Sequence, residues 1–196
     1  MITVIIRDTD IPFMDRPQAI TLLKKYVHDE HLVRHCLATG AIMKAMAGYL
    51  NADAGRWERI GILHDIDFEQ VQGDMQRHGV AGAEILKGLG YDPEDAEIIR
   101  RHNHLLHHDT YTSPVELVLQ AADSASGLII ACALVKGGRL SEVTAKTILK
   151  KAKERSFAAG CDRDRIALIG TVISVPEFYT IALAGLMACR SELGLT

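Results

Sequence analysis

The sequence is short of aromatics, paired cysteines and positive charge, and each shortage excludes something. Phe, Trp and Tyr make up 5% of the 196 residues, so Ala, Ile, Leu, Val and Met carry the apolar volume. Few β-branched residues alternate with polar ones, a pattern that favours helix packing over half-buried strands. The four cysteines, Cys36, Cys132, Cys161 and Cys189, form no CxxC pair and read as reduced core thiols. Formal net charge is −3, which supplies no global basic field for an extended nucleic-acid surface or an anionic membrane. No charged-then-apolar leader is seen, and no apolar run is read as reaching the roughly 18 residues of a membrane span. Repeats, low-complexity tracts and Pro/Gly/Ser linkers are also missing. The expectation is one cytoplasmic all-α domain over 1–196, its core supported by 48% hydrophobic content.

What is present in excess is histidine, with nine copies, set on a series of helix signals. Residues 1–14 read as an N-terminal arm with an apolar piece at Ile2 to Ile6. Asp15 caps a helix with Pro17 in its first turn and Ile20, Leu23 and Val27 inward. Asp29 caps a longer helix to Tyr49 or Leu50, on which His31 and His35 share a face. Asn51 and Asp53 start a helix ending at His64-Asp65. A polar connection, Asp67 to Gln76, leads to His78 at the start of a helix stopped by Gly90. Asp92-Pro93 opens a helix ending near His102. A His-rich loop, Asn103 to Thr112, precedes a long apolar helix from Ser113-Pro114 to about Lys136. After Gly137-Gly138, Ser141 caps a Lys-rich helix to about Arg155, and two last helices cover roughly 163–172 and 176–193.

The stretch Leu63-His64-Asp65-Ile66-Asp67 organises this series. An imidazole and a carboxylate following Ile60-Gly61-Ile62-Leu63 are costly to bury unless a positive group compensates them. A divalent cation does so economically, because neutral His and ionised Asp are both good ligands for a borderline metal. Asp123, among small and apolar residues in Gln120-Ala121-Ala122-Asp123-Ser124-Ala125-Ser126-Gly127, needs a partner by the same argument. His35 completes a set of two His and two Asp. No Arg or Lys close in sequence is an obvious partner for either carboxylate.

His35, then His64-Asp65, then Asp123, on successive helices, resembles the HD superfamily of metal-dependent phosphohydrolases. The match covers roughly 29–130, with helices of about 141–194 packed on that core. Asp29-Glu30-His31-Leu32-Val33-Arg34-His35, Gly61-Ile62-Leu63-His64-Asp65-Ile66-Asp67 and Ser156-Phe157-Ala158-Ala159-Gly160 are similar to a small single-domain branch known as predicted HD hydrolases. The resemblance implies an all-helical fold, one or two divalent ions (Mn, Fe, Co, Ni, Zn or Mg) and hydrolysis of a small-molecule or nucleotide phosphate ester. It also implies that His78 and His102 add a second ion, with Asp65 bridging. Asn103 stands where two-metal relatives tend to have a second adjacent His, and the glycine-tyrosine-proline signature of cyclic-dinucleotide phosphodiesterases is missing after it.

Other residues carry a plain and a chemical reading side by side. Asp67, Glu69, His104 and His107 are candidates for donating a proton to the leaving oxygen, and Asp65, Asp67 and His104 make up the catalytic set. His104 could also replace the missing metal ligand, or lie in solvent. His28 and His31 line a helix face or touch metal; His107 and His108 sit in a surface loop or a lid. Lys146 and Lys150, with Lys151 and Lys153, form a solvated face or bind substrate phosphate. Gly137-Gly138-Arg139 is a helix stop or a phosphate loop, with Arg139 the binding candidate. His102-Asn103-His104 has HNH-nuclease letters without the hairpin that motif needs. A homo-oligomer is compatible with all of this. The rival to catalysis is a metal-containing nucleotide-binding or regulatory module without turnover.

Overall fold

The structure, a computed structural model, describes residues 14–107 and 110–196. The N-terminal apolar piece Ile2 to Ile6 and the loop histidine His108 lie outside them. Among the described residues there are nine α-helices and no strand. They are α1 (Arg16–Tyr26), α2 (Glu30–Tyr49), α3 (Ala54–Leu63), α4 (Val80–Gly88), α5 (Pro93–Arg101), α6 (Pro114–Leu134), α7 (Ala145–Ala152), α8 (Arg163–Ala167) and α9 (Val175–Ala188).

The aspartate caps set the early helices. Asp15 accepts from the Gln18 N–H while the Gln18 side chain accepts from the Asp15 N–H, closing a capping box. Asp29, Asp53 and Asp92 each accept backbone N–H bonds from the first turn of α2, α3 and α5, satisfying donors that have no partner inside the helix. The later elements differ from expectation. Ser141 does not cap a helix; Leu140–Glu142 is a 3-10 turn, and Thr144 caps α7 by accepting from the Thr147 N–H. With Leu140 and Val143 buried, the chain is held down there and the helix starts later. The stretch expected over 163–172 is α8 followed by a 3-10 turn, Leu168–Thr171.

Helix α2 lies at the centre, packed against α1, α3, α6 and α9. Its crossing with α3 is a contact of two glycines. A Cβ on Gly61 would come 2.7 Å from Gly40 Cα, and one on Gly40 would come 2.9 Å from the Glu58 carbonyl oxygen. Any larger residue at either position would push apart the helices that bear His35 and His64. Helix α6 is long and apolar enough to cross a membrane by length and composition, contrary to the sequence reading, but most of it is buried inside the fold. Its apolar faces fill the core, and Gln120 and Asp123 face the polar cluster described next.

Candidate metal centre

Five segments converge on one cluster: α2 through His35, the end of α3 through His64 and Asp65, the turn before α4 through His78, the end of α5 through His102, and α6 through Asp123. His78 precedes α4 by two residues rather than opening it, and Gly79 is the N-cap. Gly79 has φ of +82°, a conformation that favours glycine, and a Cβ there would come 2.8 Å from the Arg100 carbonyl oxygen. That close approach brings the His78 turn onto the end of α5.

All four imidazoles point Nε2 inward and are held from behind through Nδ1. His64 and His102 use the same local device: each is the C-cap of its helix and donates Nδ1–H to the carbonyl three residues earlier, Gly61 at 2.8 Å and Ile99 at 2.5 Å. His78 donates Nδ1–H to Asp67 at 2.9 Å. Ser126 Oγ donates to the Asp123 carbonyl at 2.8 Å and so accepts from His35 Nδ1–H at 3.0 Å. With Nδ1 committed as donor, each neutral ring presents an Nε2 lone pair to the interior. Two such lone pairs face each other at 3.2 Å between His35 and His64, and two at 3.0 Å between His102 and His78. Facing acceptors need a cation or a proton between them.

Asp65 joins the two pairs. Its Oδ1 lies 3.3 Å from Nε2 of His64, of His78 and of His102, and its Oδ2 lies 3.4 Å from His35 Nε2. Asp123 Oδ1 is 3.2 Å from His35 Nε2 and 3.8 Å from His64 Nε2. Bonds of about 2.0–2.2 Å to N and O place neighbouring ligands of one ion about 3 Å apart, so these spacings suit a shared cation. The negative ends of α3 and α5 also point at the cluster, which favours positive charge. The donor set therefore fits divalent ions, in groups of His35, His64 and Asp123 and of Asp65, His78 and His102.

In the metal-free cluster the charges divide unevenly. Burial pulls the His35 pKa down, but hydrogen bonds to Asp123 and Asp65 push it up to about 10. Burial likewise opposes, and bonds to Asp65 and Asp67 outweigh, at His78, which rises to about 9. Burial lowers His102. Burial raises both carboxylates, yet His64 and the other imidazoles hold Asp65 well below the usual range, and Arg165 and His35 do so for Asp123. Cys36 lies against the same cluster, and burial keeps its thiol protonated.

Arg165, on α8, was not foreseen: it is a cationic partner for Asp123 that lies far from it in sequence. Its Nη2 is 2.7 Å from Asp123 Oδ2 and its Nε donates to Gln120 Oε1 at 2.7 Å. Gln120 in turn donates to the His102 carbonyl at 3.0 Å. Asp123 is thus left with one oxygen, Oδ1, facing the imidazoles. Two cavities open over the cluster, one of about 170 Å³ beside His78, His102 and Phe68 and one of about 390 Å³ beside His35, His104 and Asp162; both reach Asp123 and Arg165.

The other candidates separate by position. Asp67 is fully buried and spent: besides His78 it accepts from the Gly79 and Gly82 N–H groups, both at 2.8 Å. Burial raises its pKa, but these bonds hold it below the usual range, so it orients His78 and has no proton to give. Glu69 accepts from the N–H groups of His28 and Asp29 ahead of α2. His104 lines the larger cavity with its Nε2 3.9 Å from Asp162 Oδ2, and burial and Arg165 lower its pKa. His107 stacks near Tyr111, ring centroids 4.9 Å apart. His28 and His31 are exposed. Asn103 is buried and donates to the Met75 and His78 carbonyls at 2.8 and 2.9 Å, so it ties down the His78 turn. Lys146 and Lys150 are exposed on α7, and Arg139 pairs with Glu142. None of these three lines the cavities over the cluster.

Comparison with known proteins agrees with this geometry. Residues 32–128 match the family model described as HD domain. The chain is 34% identical over 88 residues to a tRNA (cytidine(56)-2'-O)-methyltransferase of Thermoplasma volcanium, 45% of this chain and 25% of that protein. It is 37% identical over 95 residues to an uncharacterised protein of Methanocaldococcus jannaschii, 45% and 54% respectively. It is 32% identical over 105 residues to ribonuclease Y of Geotalea uraniireducens, 51% and 19%. The aligned part spans between a fifth and about half of the length of these relatives. With its helices, its His-Asp pair and its matched span, the chain belongs through residues 32–128 to the HD-domain family.

Proposed function

We propose that the chain is a metal-dependent phosphohydrolase that binds two divalent cations and cleaves a phosphate ester of a small molecule or nucleotide. The observation that carries the reading is Asp65, one carboxylate within 3.4 Å of the inward nitrogens of all four histidines. On this reading His35, His64, Asp65 and Asp123 hold one ion, and Asp65, His78 and His102 hold the second. Bound ions of this kind lower the pKa of water toward 7 and offset charge on phosphoryl oxygens. The chain's own groups do the rest. Asp67, Ser126 and the Gly61 and Ile99 carbonyls fix the imidazoles. Arg165, only 13% exposed at the side chain, stands between the two cavities and receives a phosphoryl oxygen through its guanidinium. His104 stands in the wall of the larger cavity with its pKa lowered, so at neutral pH it accepts a proton rather than holding one for the leaving oxygen.

The class of reaction follows the HD family, and ribonuclease Y is by its name an enzyme acting on RNA. A net charge of −3 favours a small ester over a long polyanion. The test is phosphate release from nucleotides, sugar phosphates and cyclic nucleotides by stripped protein reloaded with Mn²⁺, Co²⁺, Ni²⁺ or Mg²⁺. Turnover with at least one metal, lost by more than about a hundredfold in Asp65→Ala with helicity retained, is the expected result. Tight nucleotide binding without turnover under every metal would replace the hydrolase with a binding module.

A further inference from the structure

A third cavity, of about 290 Å³, abuts the larger of the two over the cluster and shares His35 and Gly127 with it. Its chemistry is different. Ile130 and Leu134 of α6 and Leu193 and Leu195 of the C-terminal turn form apolar walls, while His31 and Arg34 of α2 stand at one side. Leu134 is 62% exposed and forms an accessible part of those walls. Arg34 has no hydrogen-bond or ion-pair partner among the described residues, and its guanidinium lies over Gly194, where a Cβ would be 3.8 Å from Cζ. Every other arginine facing a cavity over the cluster is engaged: Arg165 by Asp123 and Gln120.

We propose that this cavity receives the non-reacting part of the substrate, an apolar ring or short chain whose far end carries an anionic group that meets Arg34. The idea rests on the reading above in placing the phosphoryl group at the metal cluster. Apolar walls desolvate a ring or chain and reject a second, fully hydrated phosphate. A guanidinium with no partner among the described residues is the group that selects a carboxylate end. A pocket in this size range with few polar groups is typical of small-molecule sites. The ester would therefore be amphiphilic, with its two charged ends separated by an apolar middle lying across α2 between His35 and Arg34, whose side chains leave the helix in directions about 100° apart.

Non-hydrolysable phosphonates decide the matter without relying on turnover. Titration calorimetry on the metal-loaded chain compares methylphosphonate, benzylphosphonate and 4-carboxybenzylphosphonate. Benzyl should bind about tenfold more tightly than methyl, and the carboxylate should add a further severalfold gain. Leu134→Glu should remove the first gain and Arg34→Gln the second. Val135→Glu, the same charge change one residue on at a side chain 65% exposed and outside the cavity lining, should remove neither. Equal binding of the methyl and benzyl compounds, no gain from the carboxylate, or gains that survive Leu134→Glu and Arg34→Gln would each overturn the proposal. Selective binding without turnover of any ester would leave this subsite in place and remove the hydrolase reading instead.

Discussion

Two carboxylates two positions apart illustrate how neighbours in sequence take different work. Asp65 faces four nitrogens and Asp67 faces away from them, toward His78 Nδ1 and two backbone N–H groups. Removing the Asp67 carboxylate should leave the His78 ring free to turn, so Asp67→Ala is expected to lower affinity for the second ion by about 10–100-fold, read by competition with a metal chelator. His78→Ala should lower the metal content from about two ions per chain to about one by elemental analysis; an unchanged count would remove His78 from the ligand set. Arg165→Gln should raise KM for a phosphate ester by about 10–100-fold, the value of one or two charged hydrogen bonds, with the metal content unchanged. Part of the His/Asp cluster was legible in sequence because an HD pair in an apolar segment and an Asp in a small-residue helix both need compensation; His78 and His102 entered only through the family resemblance. Arg165 was not legible. It lies in a polar stretch, Asp162-Arg163-Asp164-Arg165, that reads as surface, and only the fold carries it back to Asp123.

At the scale of elements, four of the first six helices follow aspartate caps, while α4 and α6 begin without a side-chain cap bond. Beyond α6 the same reasoning loses register, because Ser141, a residue with N-cap chemistry, sits inside a 3-10 turn and Thr144 takes the cap. Which of two nearby hydroxyls caps a helix is decided by what the intervening apolar residues bury, here Leu140 and Val143, and that is a tertiary fact. The glycine crossing of α2 and α3 is equally invisible in one sequence, since Gly40 and Gly61 look like ordinary weak points of two helices. Gly61→Ala should therefore destabilise the chain despite its better helix propensity. The overlap with Gly40 is expected to cost about 1–3 kcal/mol, measured by denaturant unfolding, and metal affinity should fall as His35 and His64 separate.

For the whole molecule, the metal-free state has its own pH dependence. His35 and His78 sit at about 10 and about 9 against about 6.5 in an unfolded chain. The stability they contribute is complete below about pH 6.5 and is lost as pH rises through their folded values. Asp65 and Asp123, held low, contribute stability that is present above about pH 3.9 and lost as pH falls. The melting temperature of chelator-stripped protein should thus decline from pH 7 to pH 10, whereas metal-loaded protein, whose imidazoles carry no proton at Nε2, should show a much flatter alkaline limb. A flat limb in the stripped protein would mean that His35 and His78 are neutral in the fold.

The outward commitment of every Nδ1 also bears on which metal the chain carries. A ring tied by Ser126, Gly61, Asp67 or Ile99 cannot reshape itself around a particular ion, so the fold, more than the ion, would set the donor spacing. On the proposed reading, ions whose preferred bond lengths match that spacing would be favoured over those that need the donors to move, within the general affinity order of the divalent metals.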